Sequence, residues 1–330
     1  MPFPEIRKLP CKLERLFDET NIIPNFVYFN PSSAYPYIYV RATEKIEEKE
    51  KDTNTNEFKI VHINHMFLYN YHTNKMELID IPIDTLKLSY NLHQGIEDTR
   101  LIVFEEKLWF LSTSTHASSS MQSEILLGYF NKTDTRIEFS QHLDFRRKPL
   151  KNMCPFIYEG SLHTIDMYSF ELFKIQKESL EDKNDKYIAV NIGTLKPCNG
   201  IRSHTVRGST SPIRLHGYLW GCVVHEHIPR ATKGSFAYVS YWLEFDMNRR
   251  AITFLSAPFY ISYLGIEFIS GIEYDPKEDK IELYLGIQDK NPIVAYTTLH
   301  DIRVGAESQE PKVRSRNVYK EIRKTYIHNT

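Results

Sequence analysis

Five stretches of one design recur along the chain and leave few folds open to it. "YPYIYVRAT" from Tyr35, "EKLWFLSTS" from Glu106, "GSLHTIDMY" from Gly160, "GYLWGCVVHEH" from Gly217 and "KIELYLGIQD" from Lys280 each run through alternating apolar positions. Each then ends in a polar side chain: Arg41, Thr113, Asp166, His225 and Asp289. The units follow one another at roughly 55 to 70 residues, and helical periodicity is scarce between them. One strand unit cannot bury its apolar face alone, and closing a ring of such units removes the open sheet edges. The pattern therefore predicts an all-β chain, a five-bladed β-propeller, against the competing architecture of a large β-sandwich. In a ring the polar strand ends converge on one face. The whole of 1–330 reads as a single domain, with the propeller over about 20–310. Short helical extensions are expected at both ends, over residues 12–17 and in the basic tail or helix of 311–330.

Bulk composition narrows the function. At 330 residues, 42% hydrophobic and 25% charged, the chain is long enough for one large core. A net charge of -1 offers nothing to nucleic acid or to an anionic membrane. No apolar run approaches a membrane span, and "MPFPEIRKLP" lacks the apolar stretch of a secretory signal, so a cytoplasmic location is expected. The 4 cysteines (Cys11, Cys154, Cys198, Cys222) are scattered without CxxC spacing, which predicts neither a zinc site nor a disulfide framework. Three polar runs read as loops: "EKIEEKEKDTNTNE" from Glu44, "STSTHASSSMQS" from Ser112 and "KESLEDKNDK" from Lys177.

Several short motifs bear chemistry. "GIEDTR" places Glu97, Asp98 and Arg100 at the mouth of the second unit. A carboxylate beside an arginine is held ionised and oriented, and a carboxyl is the usual acid of glycosidic cleavage. Read alone, the same residues make a surface turn with a local salt bridge. Lys151 and Asn152 open the third unit and suit an anion or sugar hydroxyls; a solvated loop would look the same. In "RGSTSP", Gly208 and Ser209 let a backbone approach a ligand, and Arg207 suits phosphate. His225 and His227 fall on one side of a strand by alternation, better placed for hydrogen bonding than as metal ligands, since no further ligand set has recognisable spacing. Tyr238 and Tyr241 follow on the next strand with phenol hydroxyls or stacking faces. Glu267 and Asp289 are acids in apolar strands, either pocket carboxylates or caps on a neighbouring blade's amides.

In order along the chain, "NPSSAYPYIYVRA", "GIEDTRLIVFEEKLWFLST", "KNMCPFIYEGSLHTI", "RGSTSPIRLHGYLWGCVVHEH" and "GIEYDPKEDKIELYLGIQD" resemble glycoside hydrolase family 130, the β-mannoside phosphorylases, and their mannosyltransferase relatives. The resemblance implies a five-bladed propeller. It also implies an inverting enzyme that moves a hexose, mannose by this likeness, between a glycoside or sugar phosphate and phosphate or a sugar acceptor. The general acid of the family falls on Asp98, which would protonate the glycosidic oxygen through a sugar hydroxyl while phosphate attacks the anomeric carbon. Phosphate would lie among Arg100, Lys151, Arg207, His225 and Tyr241. Sugar hydroxyls would meet Arg41, Glu97, Asn152, Asp166, Glu267 and Asp289. No cofactor is implied beyond phosphate or a sugar phosphate as co-substrate. Thr99 stands where the family's Glu-Asp-Pro-Arg hallmark has proline. A hydrolase on the same fold and a non-catalytic glycan-binding or scaffold propeller are the competing readings.

Overall fold

The computed structural model describes the backbone of residues 7–8, 12–15, 24–27, 37–49, 58–70, 75–78, 96–115, 123–130, 137–143, 145, 152–178, 186–198, 201, 204–229, 236–262, 265–287 and 291–304. Side chains are described from residue 98 onward within these ranges, apart from 114–115, 123–124, 229, 236, 291–292 and 304.

Strands β1 (Arg7–Lys8) and β2 (Lys12–Arg15) precede the first sheet, which contains β3 (Pro24–Val27), β4 (Tyr37–Lys49), β5 (Phe58–Asn70) and β6 (Lys75–Leu78). The second sheet is β7 (Ile96–Phe104), β8 (Lys107–Thr115), β9 (Ser123–Phe130) and β10 (Ile137–His142). The third is β11 (Cys154–Tyr158), β12 (Ser161–Asp166), β13 (Glu171–Glu178) and β14 (Lys186–Thr194). A larger sheet follows with β15 (Arg207–Gly208), β16 (Ile213–His216), β17 (Leu219–Pro229), β18 (Phe236–Asp246), β19 (Ala251–Leu255) and β20 (Phe259–Tyr260), to which β1 adds in parallel. The last sheet joins β21 (Glu267–Asp275), β22 (Lys280–Ile287) and β23 (Asn291–Thr298) to β2, and the short helix α1 (Leu299–Val304) follows it.

The arrangement is all-β and propeller-like, but the count of equivalent blades needs correction. Four sheets have the four-stranded form, while the sheet of β15 to β20 has seven strands and departs from it. The N-terminal helix is also corrected. Lys12–Arg15 is a strand, paired antiparallel with β23 from Lys12↔Tyr296 to Arg15↔Ile293. Four residues cannot repay helix nucleation, whereas an open sheet edge offers them ready hydrogen-bond partners. The sheets thus begin before residue 20. The charged run from Glu44 is not a loop at its start, because β4 extends to Lys49 and pairs throughout with β5. Residues 311–330 lie outside the described residues.

Each repeated unit recognised in the sequence is the second strand of its sheet: β4, β8, β12, β17 and β22. In a sheet order such as β11-β12-β13-β14, the second strand is flanked on both edges and covered on both faces. Its alternate side chains feed clusters between adjacent sheets. Trp109, Leu111 and Leu127 of the second sheet pack with Leu162, Phe173 and Ile175 of the third. Phe156 and Ile165 meet Trp220, Cys222 and Val224. On the other side of β17 and β18, Val223 and Trp242 meet Ile269, Leu283 and Leu285, and α1 adds Leu299 and Ile302. Each such side chain contributes roughly 1.5–3 kcal/mol by leaving water.

The first strands do the positioning. β7 packs against β3, β11 and β21, so their starts gather at one end of the molecule. Antiparallel pairing brings the ends of the second strands to the same place: Glu97↔Thr113, Cys154↔Ile165, Arg207↔His225 and Glu267↔Ile287.

Candidate functional site

The "EDTR" cluster is a β-bulge. Pairing with β8 runs Glu97↔Thr113 and resumes at Arg100↔Leu111, so Asp98 and Thr99 together oppose Ser112. Asp98 takes the left-handed backbone (φ 52), which Asp tolerates better than most residues. A bulge of this kind bends the strand and re-aims a side chain. Asp98 is half-buried here, while Thr99 and Arg100 on either side of the kink are buried. The Thr99 and Ser112 hydroxyls are 2.7 Å apart and hydrogen-bonded. Thr99 thereby fixes the bulge through its side chain.

Arg100 is 1% exposed, and its described acceptors are backbone carbonyls. Nη2 donates to Ser209 C=O at 2.9 Å and to Gly208 C=O at 3.4 Å, Nε to Ser209 C=O at 3.2 Å, and Nη1 to Asp98 C=O. Its guanidinium carbon lies 5.6 Å from the centroid of the Phe268 ring. Arg100 therefore ties the Asp98 bulge to the "RGSTSP" segment, a different part from the phosphate contact expected of it. Gly208 is required for this docking: a Cβ there would overlap Cys154 Sγ and sit 2.5 Å from Asn152 C=O.

From the clamp the network passes to the histidines. Ser209 Oγ is 2.8 Å from His225 Nδ1. His225 and His227 do share one face of β17, with ring centroids 5.3 Å apart and planes within 25°. Tyr238 meets both edge-on, at 5.1 and 4.8 Å, and Phe268 meets His225 at 5.3 Å. Burial first, then the charges of His227, Arg100 and Arg207, drive the His225 imidazole well below its ordinary pKa. Burial and Arg207 lower His227 as well. A neutral His225 can give a hydrogen bond without adding a charge. Arg207, exposed at the start of β15, is the cation at the mouth of this cluster.

Other expected residues fall differently. Tyr241 pairs with Val224, so it lies on the face of the sheet opposite His225, and its hydroxyl donates to Glu226 Oε2 at 2.8 Å. Tyr238, opposite His227 in the pairing, is the tyrosine that belongs to the histidine cluster. Asp166 is buried and accepts from the amides of Tyr168 and Ser169 and from Ser169 Oγ, which makes it the cap of the β12–β13 turn. Glu267 is also a cap: its two oxygens accept from the amides of Ile261 and Ser262 at 2.6 and 2.7 Å. Asn152 is 6% exposed with φ 64, and its Oδ1 has no partner among the described residues. Arg41 and Glu97 are placed by backbone pairing only. Lys151 and Asp289 lie outside the described residues. Ser209 and Phe268 were not singled out as ligands by sequence, although Ser209 stands inside a motif that was; Tyr238 was named beside Tyr241 but left out of the phosphate set.

Cys154 lies in the same region, where burial outweighs the Arg100 charge and pushes its thiol up to about 12, so it stays protonated and is no nucleophile. No group of three or more His, Cys, Asp or Glu among the described residues is arranged to hold a metal ion. No helix among the described residues is long and apolar enough to cross a membrane.

The histidine cluster makes a pH prediction. A base whose folded pKa is depressed contributes stability that is complete above the unfolded value, about 6.5 for histidine, and is lost as pH falls below it. The melting temperature should therefore fall between pH 7 and pH 5. In His225→Gln that fall should shrink but not vanish, because His227 acts with the same sign. A wild-type melting temperature flat from pH 7 to 5, followed by thermal unfolding monitored by fluorescence, would remove the buried neutral histidine from the account.

No family model matches the chain, and no curated protein matches it. Its fold does match solved structures. A β-1,2-mannobiose phosphorylase from Listeria innocua, in complex with β-1,2-mannobiose, superposes with a TM-score of 0.51 at 13% identity, covering 87% of this chain and 92% of that one. A mannose phosphorylase from Leishmania mexicana in complex with phosphate ion gives 0.48 at 11% identity, covering 84% and 83%. A GH43 β-xylosidase/α-arabinofuranosidase from a compost microbial metagenome gives 0.47 at 9% identity, covering 89% and 95%. At 13% identity the likeness to the mannobiose phosphorylase shows a shared fold.

Proposed function

We propose that this protein is a carbohydrate-active enzyme, an inverting glycoside phosphorylase or glycosyltransferase that moves a hexose, mannose by family resemblance, between a glycoside or sugar phosphate and phosphate or a sugar acceptor. The observation that carries the reading is the bulge. It sets a half-buried carboxylic acid, Asp98, at the end of the sheets where Arg207 and the His225–His227 pair also gather. The seven-stranded sheet supplies that cation and those imidazoles.

In the phosphorolytic direction Asp98 gives its proton to the departing glycosidic oxygen, by way of a sugar hydroxyl. The bond from that oxygen to the anomeric carbon breaks. A phosphate oxygen, held by Arg207 and steadied by His225, forms the new bond from the opposite face. Holding nucleophile and donor in line supplies much of the acceleration, and the fixed cation and dipoles supply the rest. Phosphate or a sugar phosphate is the co-substrate, and no other cofactor is needed.

The test is release of phosphate from mannose 1-phosphate with a panel of sugar acceptors, and phosphate-dependent cleavage of β-mannosides in reverse. Arg207→Ala should raise the KM for phosphate about 10- to 100-fold with a smaller change in kcat, since it removes binding of the nucleophile. Tyr241→Phe should leave that KM within about twofold, because its hydroxyl is on the other face of the sheet. Turnover that ignores phosphate, or an Arg207→Ala enzyme that behaves like wild type, would sink the proposal.

A further inference from the structure

We infer that the end of the propeller opposite the candidate site carries a second binding site, for a neutral saccharide chain. It is a cleft of about 380 Å³ between the β11–β12 and β16–β17 turns, lined by Tyr158, Glu159, Arg214, Tyr218 and Trp220 among others. The same strands separate it from the central site. Trp220 and His225 lie five residues apart on β17, which is roughly 17 Å of extended chain.

Three observations fit a sugar. Tyr218 is 51% exposed, the more exposed of the two large hydrophobic side chains open to solvent among the described residues. It stands on a turn tip beside Gly217, whose φ of 50 keeps the hairpin tight. Tyr158, partly exposed, provides further ring surface, and ring faces are what the apolar side of a pyranose packs against. Second, the charges within the lining balance. Glu159 and Arg214 are one acid and one base, so the lining favours a neutral ligand over a phosphate or a nucleotide. Both are planar groups able to engage adjacent hydroxyls in pairs. Arg214 Nε donates to Gly217 C=O at 2.9 Å, which holds the guanidinium at the rim before any ligand arrives. Third, Trp220 Nε1 is buried and has no hydrogen-bond partner among the described residues. Buried indole N–H groups usually find one, and a small shift of the ring would offer this donor to a bound hydroxyl.

A cleft of this size is within the range of ligand pockets. The choice of saccharide over other neutral ligands rests on the proposed carbohydrate activity. A second site would hold a long substrate while its end is processed at the other face, or would tether the enzyme to a polymer.

The experiment is isothermal titration of full-length protein with β-1,2-mannobiose and with xylotriose, alongside Trp fluorescence. Trp109 and Trp242 are buried in the core, which leaves Trp220 as the reporter beside the cleft. Arg207→Ala, which weakens phosphate at the central site and leaves its sugar contacts in place, should keep the Trp220 fluorescence response to at least one of the two sugars. Adding Tyr218→Ala should weaken that binding at least about tenfold. Tyr218→Ala alone should keep its melting temperature and its turnover, because the side chain is exposed and far from the chemistry. No binding of either sugar in Arg207→Ala, or binding that Tyr218→Ala does not change, overturns the inference. Turnover of the wild-type enzyme in either case shows that the central reading stands independently.

Discussion

Arg100→Ala is expected to cost about 3–5 kcal/mol of folding stability, read as a large drop in urea midpoint. The wild-type guanidinium is 1% exposed and serves carbonyls on two segments more than a hundred residues apart, Asp98 on β7 and Gly208 and Ser209 after the third sheet. Truncation leaves those oxygens without donors, at about 1–3 kcal/mol for each that water cannot reach, and opens a cavity beside Phe268. Arg100→Lys should recover only part of the loss. An ammonium is a single point that cannot span the Ser209 and Asp98 carbonyls together, whereas a planar fork can. Arg100→Met should fall between the two, because it restores apolar volume without the donors. The Ser209 contact to His225 should loosen in all three, so the pH dependence of stability ought to change with the midpoint. A midpoint for Arg100→Ala within about 0.5 kcal/mol of wild type would show that the clamp is incidental.

This clamp also shows where sequence reading reaches its limit. The repeated units were legible because second strands are covered on both faces, which forces dense apolar alternation on them. Among first strands β3, β11 and β15 are shorter than their partners and β7 and β21 carry register breaks, so "GIEDTR" and "RGSTSP" were legible as chemistry but not as strands that touch. Nothing local says that Arg100 will meet Ser209. That contact depends on Gly208 lacking a Cβ and on how neighbouring sheets pack. Tyr241 and Tyr238 part company for a related reason. Both follow the histidines, but only the hairpin register, His227↔Tyr238 and Val224↔Tyr241, decides which phenol shares their face. Two signals were available and unused. In "DMYSF", an aspartate two and three residues before the amides of Tyr168 and Ser169 is the pattern of a side-chain-capped turn, which is what Asp166 does. "CKLER" has no N-cap and is too short to nucleate a helix, and fits a strand added to an open edge equally well.

Asp98→Asn is expected to lower kcat about 10³-fold on mannosides with poor leaving groups, within the range that general acid catalysis supplies. Stability should stay near wild type. The side chain is only half-buried, asparagine is isosteric and also tolerates the left-handed backbone that the bulge imposes, and the Arg100 contact is to the backbone C=O of residue 98, which the substitution leaves in place. The KM for phosphate should also hold, since Arg207 and His225 remain. The decisive comparison uses leaving-group chemistry. A dinitrophenyl mannoside departs as a stable phenolate and needs no proton, so Asp98→Asn should lose at most about tenfold on it. A structural role for Asp98 would impair both substrates alike, and a bystander role would impair neither. Only an acid that protonates the departing oxygen separates the two. That separation, measured at equal melting temperature, is the result that would assign the chemistry to the bulge.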